Sequence, residues 1–235
     1  MVKKIKKNKS VVCVIPSRSQ GDSIDNLNFL NVGNEMLLEL TISSAMKSKL
    51  FKQIFVIFDN HDHKNFFEKK YNIFGIVDKK KNVDFTKLIK KYRKKYFDNF
   101  SYICVLFPNS PFKNYRTINN MYKKVVREKL DFMVSGCVEK KKFYLREENQ
   151  FKKILKTQKN STEDMFYISG GINFFKKNFK NFEEYLEKIN KKNIYKLNYH
   201  EGFSIYTIYD LILAGTINDI DPSIFRNLLQ KNINQ

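Results

Sequence analysis

Residues 11–19 read Val11-Val12-Cys13-Val14-Ile15-Pro16-Ser17-Arg18-Ser19, an apolar run that passes directly into a polar turn. A continuous apolar run of this length predicts a strand that is buried on both faces, as in a parallel sheet. Hydroxyl groups, a guanidinium and free backbone N–H groups follow at the end of the strand, and such groups suit the phosphates of a nucleotide. Taken alone, however, the motif favours an ordinary strand-to-helix connection, so the rest of the chain decides its meaning.

Apolar runs and amphipathic patterns alternate through the first half of the chain. Strands are predicted at residues 11–16, 53–58, 73–77, 102–107 and 132–138, and helices at residues 35–47, 63–71, 85–97 and 115–129. This alternation predicts an α/β fold with a mostly parallel central sheet and helices on both faces. Right-handed crossovers place the carboxyl ends of such strands along one edge, where open sheets bind ligands. Polar, glycine and proline residues gather at those ends, at residues 16–21, 59–60 and 108–111.

The second half of the sequence has a different pattern. Short apolar runs at residues 143–145, 151–155, 165–168 and 172–175 are separated by polar residues or glycine, which predicts β-hairpins in a small mixed β subregion. A further strand is predicted at residues 194–197, and closing helices are predicted at residues 208–217 and 222–230. The expected organisation is a basic tail at residues 1–9 and a single α/β domain over residues 10–235.

The chain carries a formal net charge of +20, from 44 Lys and Arg residues against 24 Asp and Glu residues. Positive charge of this size suits nucleic acid, an acidic membrane surface or phosphorylated ligands. Lysine greatly outnumbers arginine, however, and the lysines are spread over predicted helix faces. Proteins that read nucleic acid favour arginine for its two-point contacts. The charge is therefore interpreted as compositional, and nucleic acid is an unlikely partner.

The cysteines and the lack of a long apolar segment indicate the cellular setting. Cys13, Cys104 and Cys137 each lie in an apolar stretch, and their odd number and wide spacing argue against a disulfide framework or a zinc site. No apolar run reaches the roughly 18 residues that a membrane-spanning helix needs, and the N-terminal residues lack the features of a secretion signal. These features predict a cytoplasmic protein with three buried, reduced thiols.

Several short motifs, in order along residues 11–215, resemble those of the acylneuraminate (CMP-sialic acid) cytidylyltransferases. Ile15-Pro16-Ser17-Arg18 resembles the family's opening Pro/Leu-Ala-Arg, and residues 26–30 resemble the stretch after its Lys-Asn pair. Residues 106–113, Leu-Phe-Pro-Asn-Ser-Pro-Phe-Lys, resemble its Leu-Gln-Pro-Thr-Ser-Pro-Leu-Arg. Ser169-Gly170-Gly171-Ile172 resembles its Asn-Gly-Ala-Ile, and residues 210–214 resemble its closing helix. The chain is identified as a divergent member of this family.

The resemblance implies a fold of the nucleotide-diphospho-sugar transferase type. It also implies transfer of CMP from CTP to a sialic-acid-like (nonulosonic) sugar acid, with release of pyrophosphate, in a homodimer. Mg²⁺ and cationic side chains would stabilise the charge on the transferring group. The resemblance implies catalytic roles for two residues, Arg18 and Asp210. The implied nucleotide-binding residues are Pro16, Ser17, Arg18, Ser19, Gln20, Asn26, Asp59, Asn109 and Ser110, and the implied substrate-binding residues are Gly170, Gly171 and Asn173.

The sequence departs from the family where the chemistry is most demanding. The loop after Arg18 lacks the two expected lysines, and Phe107 replaces a glutamine. Ser204 and Tyr206 stand where the family has its Asp-x-Asp metal ligands, and neither supplies a carboxylate for a hard cation. The metal ligands are therefore unknown, and the remaining candidates are Asp59 and Asp210. These departures support a second hypothesis, a catalytically degenerate relative that binds a nucleotide or a partner protein.

Two further acidic motifs allow other interpretations. Residues 59–63, Asp-Asn-His-Asp-His, follow a strand as the metal motif of many nucleotide-sugar glycosyltransferases does, which gives a third hypothesis. The favoured interpretation is a loop in which Asp62 caps the next helix. Asp219-Ile220-Asp221-Pro222 resembles a metal-binding Asp-x-Asp, but Asp221 before Pro222 is also a favourable helix N-cap, and the cap is preferred.

Overall fold

The computed structural model describes residues 10–17, 19, 24–79, 85–139, 144–147, 150–153, 165–178, 185 and 187–219. The predicted basic tail, Arg18, Gln20, Asp221 and the predicted helix at residues 222–230 lie outside these residues. The division of the chain into a tail and a single domain stays a prediction.

A seven-stranded sheet carries the core of the described chain. In chain order the strands are β1 (Val11–Pro16), β2 (Asn31–Val32), β3 (Glu35–Met36), β4 (Ile54–Phe58), β5 (Phe74–Val77), β6 (Tyr102–Leu106), β7 (Phe132–Glu139), β8 (Tyr144–Glu147), β9 (Gln150–Lys153), β10 (Met165–Lys176) and β11 (Ile194–Lys196). The order in the large sheet is β11-β7-β10-β6-β1-β4-β5. Its neighbours pair in parallel except β10, which runs antiparallel between β6 and β7. The mostly parallel α/β sheet is confirmed.

The predicted mixed part of the second half is also present. The strands β8 and β9 form a separate antiparallel hairpin. A second antiparallel pair, β2 and β3, lies in the first half of the chain and was not predicted. The runs predicted at residues 165–168 and 172–175 are parts of one strand, β10, because two glycines interrupt the apolar pattern without ending the strand. The strand predicted at residues 194–197 is β11.

Helices pack on the sheet between the strands. They are α1 (Leu37–Ser48), α2 (His61–Lys70), α3 (Phe85–Tyr92), α4 (Tyr115–Glu128) and α5 (Ile208–Asp219). The helix predicted at residues 85–97 changes character at its end: α3 stops at Tyr92, and a π-helical turn covers Arg93–Phe97. The wider turn lets Phe97 reach full burial in the core. Among the described residues, no helix is long and apolar enough to cross a membrane.

The prediction that Asp62 caps α2 is wrong. Asn60 is the N-cap residue, and its side-chain oxygen accepts a hydrogen bond from the His63 N–H at 2.8 Å. The helix therefore begins at His61, two residues earlier than predicted, with Asp62 exposed in its first turn. An Asn at this position has the same short oxygen acceptor as Asp, so residue type alone did not distinguish the two.

Both faces of the sheet are covered by apolar side chains. On β1, Cys13 and Ile15 point towards α1 and α4, whereas Val12 and Val14 point towards α3 and the π-helical turn. This alternation explains the uninterrupted apolar run, because residues 11–15 are all buried. The prediction of buried thiols is confirmed, since Cys13, Cys104 and Cys137 are all buried and free of disulfides.

Candidate active site

Three loops lie along the carboxyl edge of the parallel strands. The strands β6, β1 and β4 are neighbours, so the loops that follow them begin side by side. The loop after β1 contacts the loop after β4 through Ser19 and Asp59. The turn after β6 contacts β10, where the Phe107 N–H donates to the Gly171 carbonyl at 2.9 Å. This edge therefore gathers polar groups from distant parts of the sequence.

Asp59 holds the loop after β1 in place. Its Oδ2 accepts a hydrogen bond from the Ser19 N–H at 2.7 Å, and its Oδ1 accepts one from the Ser19 hydroxyl at 2.9 Å. The Nδ2 of Asn60 donates a further hydrogen bond to Oδ1 at 3.1 Å. The Asn26 N–H donates to the Ser19 carbonyl and secures the far side of the loop. Both carboxylate oxygens of Asp59 are thus engaged by the protein's own donors.

Ser17 presents a hydroxyl group at the end of β1. Its backbone N–H donates to the Ile57 carbonyl at 2.8 Å, which continues the pairing of Pro16 with β4. The side chain is fully buried, and its Oγ has no hydrogen-bond partner among the described residues. Buried hydroxyl groups are normally hydrogen-bonded, so this one is well suited to a ligand.

We expect Asp59→Asn to lower the free energy of unfolding by about 1.5–3 kcal/mol, because hydrogen bonds to a charged group are lost. The new amide NH₂ group also faces the two Ser19 donors. Urea denaturation followed by circular dichroism measures the change. Asp62→Asn is the matched control, because Asp62 is exposed and its interaction with the helix dipole is worth only about 0.3–1 kcal/mol. Equal losses in the two variants would contradict the role of Asp59 as a loop anchor.

A cavity of ≈ 210 Å³ lies beside the turn after β6. The Ser110 and Ser204 hydroxyl groups meet in its wall at an Oγ–Oγ distance of 2.8 Å. The described residues that line it carry hydroxyl, amide and apolar groups but no formal charge, and they are Phe107, Asn109, Ser110, Ile168, Ser169, Gly171, Asn173, Ser204 and Tyr206. Walls of this kind suit the hydroxyl groups of a sugar.

Two consecutive glycines bend β10 at this cavity. Gly170 and Gly171 have φ angles of 72° and 59°, a region that favours glycine. A Cβ atom on Gly171 would lie 3.0 Å from the Phe107 carbonyl oxygen and 3.1 Å from Ser110 Oγ. Gly171 therefore permits the close approach of the turn that forms the cavity wall. Gly170 instead packs against Leu197, where a Cβ atom would lie 2.1 Å from Cδ1, and it does not line the cavity.

Two buried polar atoms in the cavity wall have no hydrogen-bond partner among the described residues. They are Ser169 Oγ and Asn173 Oδ1. The backbone around them is fixed from behind, because Ser135 Oγ donates to the Ser169 carbonyl at 2.6 Å and accepts from the Ile172 N–H at 3.1 Å. A rigid wall with unsatisfied hydrogen-bonding groups is typical of a ligand site. Asn173 lies in the cavity wall, where its substrate role stays a prediction, and Ser169 lines the same cavity.

Five residues that line this cavity are not among the site residues predicted from the sequence, and they are Phe107, Ile168, Ser169, Ser204 and Tyr206. Ser169 was considered only as part of a motif, and Ser204 and Tyr206 only as replacements for metal ligands. The signal that could have identified them is their position in the family motifs, which places them at the site whatever their chemistry. Asn109 and Ser110, which the resemblance implied as nucleotide-binding residues, line this cavity together with the predicted substrate residues Gly171 and Asn173, and their nucleotide role stays a prediction.

Asp210 caps α5. Its Oδ2 accepts hydrogen bonds from the Tyr206 N–H at 3.0 Å, the Thr207 N–H at 2.8 Å and the Thr207 hydroxyl at 2.9 Å. Partial burial raises the pKa of Asp210, but these hydrogen bonds outweigh that effect and hold the pKa below its ordinary value. Asp210 is thus ionised at neutral pH, with its charge directed at the start of a helix.

The described residues do not fit a Mg²⁺ ion held by the protein alone. No group of three or more His, Cys, Asp or Glu side chains converges anywhere in the described ranges. The two carboxylate candidates are already engaged, Asp59 by Ser19 and Asp210 by the Tyr206 and Thr207 amides just before α5. Ser204 contributes a hydroxyl that pairs with Ser110 rather than the carboxylate that Mg²⁺ prefers.

The motif at residues 59–63 is likewise engaged in internal contacts. Asn60 caps α2, and its Nδ2 lies 2.9 Å from His63 Nδ1. The His63 ring stacks on Phe29 with 3.7 Å between the ring centroids. These contacts join α2 to the loop after β1 and explain the motif by its structural role. They give no support to the glycosyltransferase hypothesis.

Comparison with known proteins agrees with this architecture. A family model described as cytidylyltransferase matches residues 12–212. The fold is similar to that of 4-diphosphocytidyl-2C-methyl-D-erythritol synthase from Anaerococcus prevotii DSM 20548, with a TM-score of 0.65 and 14% identity over 90% of this chain and 99% of that chain. It is also similar to CMP:2-keto-3-deoxy-manno-octonic acid synthetase complexed with CTP, with a TM-score of 0.67 and 11% identity over 88% of this chain and 98% of that chain. No curated protein matches the sequence.

At these identities the solved structures establish the fold alone. That fold is the nucleotide-diphospho-sugar transferase type, a mostly parallel sheet flanked by helices with an antiparallel part, which confirms the predicted class. The family model spans β1, the Asp59 loop, the turn after β6, the glycine bend and the start of α5. The chain belongs to the cytidylyltransferase family.

Proposed function

We propose that the protein transfers CMP from CTP to a sialic-acid-like (nonulosonic) sugar acid and releases pyrophosphate. The observation that carries the proposal is the contact between the Ser110 turn and the glycine bend of β10, which builds a polar cavity at the edge where β1 ends. Family membership supports the use of CTP. The acylneuraminate motifs at residues 15–18, 106–113 and 169–172 support the sugar acid as acceptor.

The loop after β1 would bind the nucleotide. Ser17 offers a buried hydroxyl group without a partner among the described residues, and Asp59 fixes the loop through Ser19. Arg18 stands between these two serines in the sequence, so its guanidinium is assigned to the phosphates of CTP, where charge accumulates during transfer. Fixed donors of this kind stabilise charge without having to reorganise during the reaction.

The cavity beside the turn after β6 would hold the acceptor sugar. Ser169 and Asn173 supply the unsatisfied polar atoms, and Gly171 keeps the wall close to Ser110. In the reaction, a hydroxyl oxygen of the acceptor forms a bond to the α-phosphorus of CTP as the bond from that phosphorus to the bridging oxygen breaks. Pyrophosphate leaves and the hydroxyl proton is released. The protein's contribution is to align the two substrates and stabilise the phosphoryl charge.

Pyrophosphate release measured with CTP, Mg²⁺ and a panel of sialic, legionaminic and pseudaminic acids tests the proposal. We expect turnover with at least one acid, and we expect Ser110→Ala to lower kcat/KM by roughly tenfold, because one hydrogen-bonding group at the cavity is lost. Ser43→Ala is the matched control, since Ser43 lies on α1 outside this cavity and should change kcat/KM by less than about twofold. A folded protein without turnover on any acid would overturn the proposed reaction.

A second candidate function is nucleotide binding without catalysis. It is favoured by Ser204 and Tyr206 at the positions of the family's metal ligands, and by the lack of a carboxylate cluster among the described residues. Calorimetry with CTP, CMP and a CMP-sugar, each with Mg²⁺ and with EDTA, distinguishes the two. Mg²⁺-dependent CTP binding supports the enzyme, whereas CMP-sugar binding that is unchanged by EDTA supports the non-catalytic relative.

We further propose that the working form is a cytoplasmic homodimer. The resemblance to the acylneuraminate enzymes supports the dimer, and the three free, buried thiols suit a reducing compartment. Sedimentation equilibrium and cell fractionation test the two parts. A monomer at micromolar concentration, or an exported protein, would contradict them.

A further inference from the structure

Lys113 is a buried lysine that joins the turn after β6 to α1. Only 5% of its surface is exposed. Its Nζ donates hydrogen bonds to the Ser110 carbonyl and, at 3.4 Å, to Thr41 Oγ1 on α1. Its own carbonyl accepts a hydrogen bond from the Ser44 hydroxyl at 2.9 Å. Both the side chain and the backbone of Lys113 therefore attach this turn to the same helix.

Ser110, the residue whose carbonyl accepts from Lys113, lines the candidate sugar cavity. The Ser110 hydroxyl lies 2.8 Å from the Ser204 hydroxyl, while the Ser110 carbonyl accepts from Lys113. The neighbouring residue, Asn109, accepts a hydrogen bond from the Ile205 N–H at 2.8 Å. A shift of the Ser110 carbonyl would therefore move two cavity walls, the turn and the segment that contains Ser204 and Ile205.

Lys113 has an unusual electrostatic setting. Among the described residues it takes part in no ion pair, and the buried Glu39 of α1 pairs with Lys70 instead. Burial lowers the pKa of Lys113 to about 7. The described titratable groups around it are Cys13 on β1 and, around an adjacent cavity of ≈ 460 Å³, Glu35, Lys47, Tyr115, His200 and Glu201.

The two protonation states of Lys113 differ in how they bind the turn. An ammonium donates three hydrogen bonds and an amine donates two, and Ser110 and Thr41 supply two acceptors. The neutral amine therefore matches these two acceptors, whereas the ammonium leaves one donor without an acceptor among the described residues and carries a charge that burial disfavours. Protonation is therefore expected to change the surroundings of the Ser110 and Thr41 acceptors.

We propose that Lys113 is a positioning residue, whose amine fixes the Ser110 carbonyl and thereby sets the Ser110 hydroxyl and Asn109 at the substrate cavity. This role deepens, and for its catalytic consequence rests on, the proposed cytidylyl transfer. The residue acts through Ser110, and it is assigned no contact with the substrates.

Amide hydrogen exchange of the Ile205 N–H tests the attachment without any nucleotide. In Lys113→Met we expect exchange at Ile205 to accelerate by about tenfold or more, because its acceptor, the Asn109 carbonyl, lies in the loosened turn. Lys47→Met is the matched control, since Lys47 faces the adjacent cavity from α1 but is exposed, and its exchange should stay within about twofold of the wild type. Unchanged exchange at Ile205 in Lys113→Met would overturn the proposal.

The wild-type protein provides a readout that does not depend on the folding of a variant. The amide chemical shifts of Ser110 and Ile205 should titrate together with a midpoint near the Lys113 pKa of about 7. The same titration should persist in Lys47→Met and be lost in Lys113→Met. Shifts that do not titrate near neutral pH in the wild type would overturn the proposal even if Lys113→Met failed to fold.

CTP binding then separates this inference from the proposed function. If the wild type binds CTP, Lys113→Met should lower kcat/KM by about tenfold. The pH profile of kcat/KM should also lose a transition near neutral pH, as expected for a positioning residue. If the wild type binds no CTP, the proposed reaction fails, while the Ile205 exchange and the titration still decide whether Lys113 fixes the turn.

Discussion

Lys113→Met is expected to remove a pH dependence of stability that the wild-type protein shows. The pKa of Lys113 is about 7 in the folded chain against 10.5 for an ordinary lysine, so between these values the unfolded chain binds more protons. Stability then rises with pH, by about 1.4 kcal/mol per unit where the difference is complete. From about pH 7.5 to 9.5, the wild type should gain about 2–3 kcal/mol relative to Lys113→Met.

The sign of this effect is opposite to that of a paired lysine. Below pH 7 the buried ammonium carries its full desolvation cost, and that cost disappears as pH rises towards 10.5. Guanidinium denaturation at a series of pH values measures the difference between the two proteins. Lys47→Met should follow the wild-type curve because its side chain is exposed. Parallel curves for the wild type and Lys113→Met would contradict the depressed pKa.

Gly136→Ala is expected to destabilise the protein by at least about 3 kcal/mol, because a Cβ atom has no room there. It would lie 2.3 Å from the Tyr167 carbonyl oxygen and 2.3 Å from a ring carbon of Phe166. The Phe166 ring can rotate away, but the carbonyl belongs to β10, which pairs directly with β7. On its other side Gly136 accepts a hydrogen bond from the Leu197 N–H at 2.8 Å, so the strand cannot retreat.

Gly215→Ala is the matched control for this substitution. Gly215 lies within α5, and a Cβ atom there would meet nothing within 4 Å. Alanine should therefore stabilise this helix by roughly 0.5–1 kcal/mol, the opposite sign from Gly136→Ala. Thermal unfolding of both variants measures the contrast. Equal stability of Gly136→Ala and the wild type would contradict the prediction, because it would show that β7 and β10 can move apart without a loss of folding free energy.

Local patterns predicted the parts of the fold that depend on short stretches of chain. The strands β1, β4, β6 and β7 follow from apolar runs, because both faces of the sheet are covered. The place of β10 could not be predicted, since an antiparallel strand between β6 and β7 is a long-range choice that no local pattern contains. The π-helical turn after α3 was also missed, because it depends on where Phe97 fits the core.

The candidate site also has features that the sequence could predict and features that it could not. The adjacent starting points of the β1, β4 and β6 loops follow from parallel topology, and so the sequence could predict them. The partners of Asp59 and Asp210 could not be predicted. An aspartate looks the same in the sequence whether its carboxylate binds a metal, anchors a loop or caps a helix. The burial of Lys113 could not be predicted, because whether a lysine is buried depends on the folded chain.

The position of β10 has a consequence for biosynthesis. When the ribosome has released the chain through β7, the strands β6 and β7 are complete but do not pair with each other. Both pair with β10, which is still to be translated. Open strand edges of this kind invite association with other chains. Only when residues 165–176 have emerged can the gap close, and Ser204 arrives later still. Chains that end before that point would lack the Gly171 wall of the cavity and would leave the facing edges of β6 and β7 open.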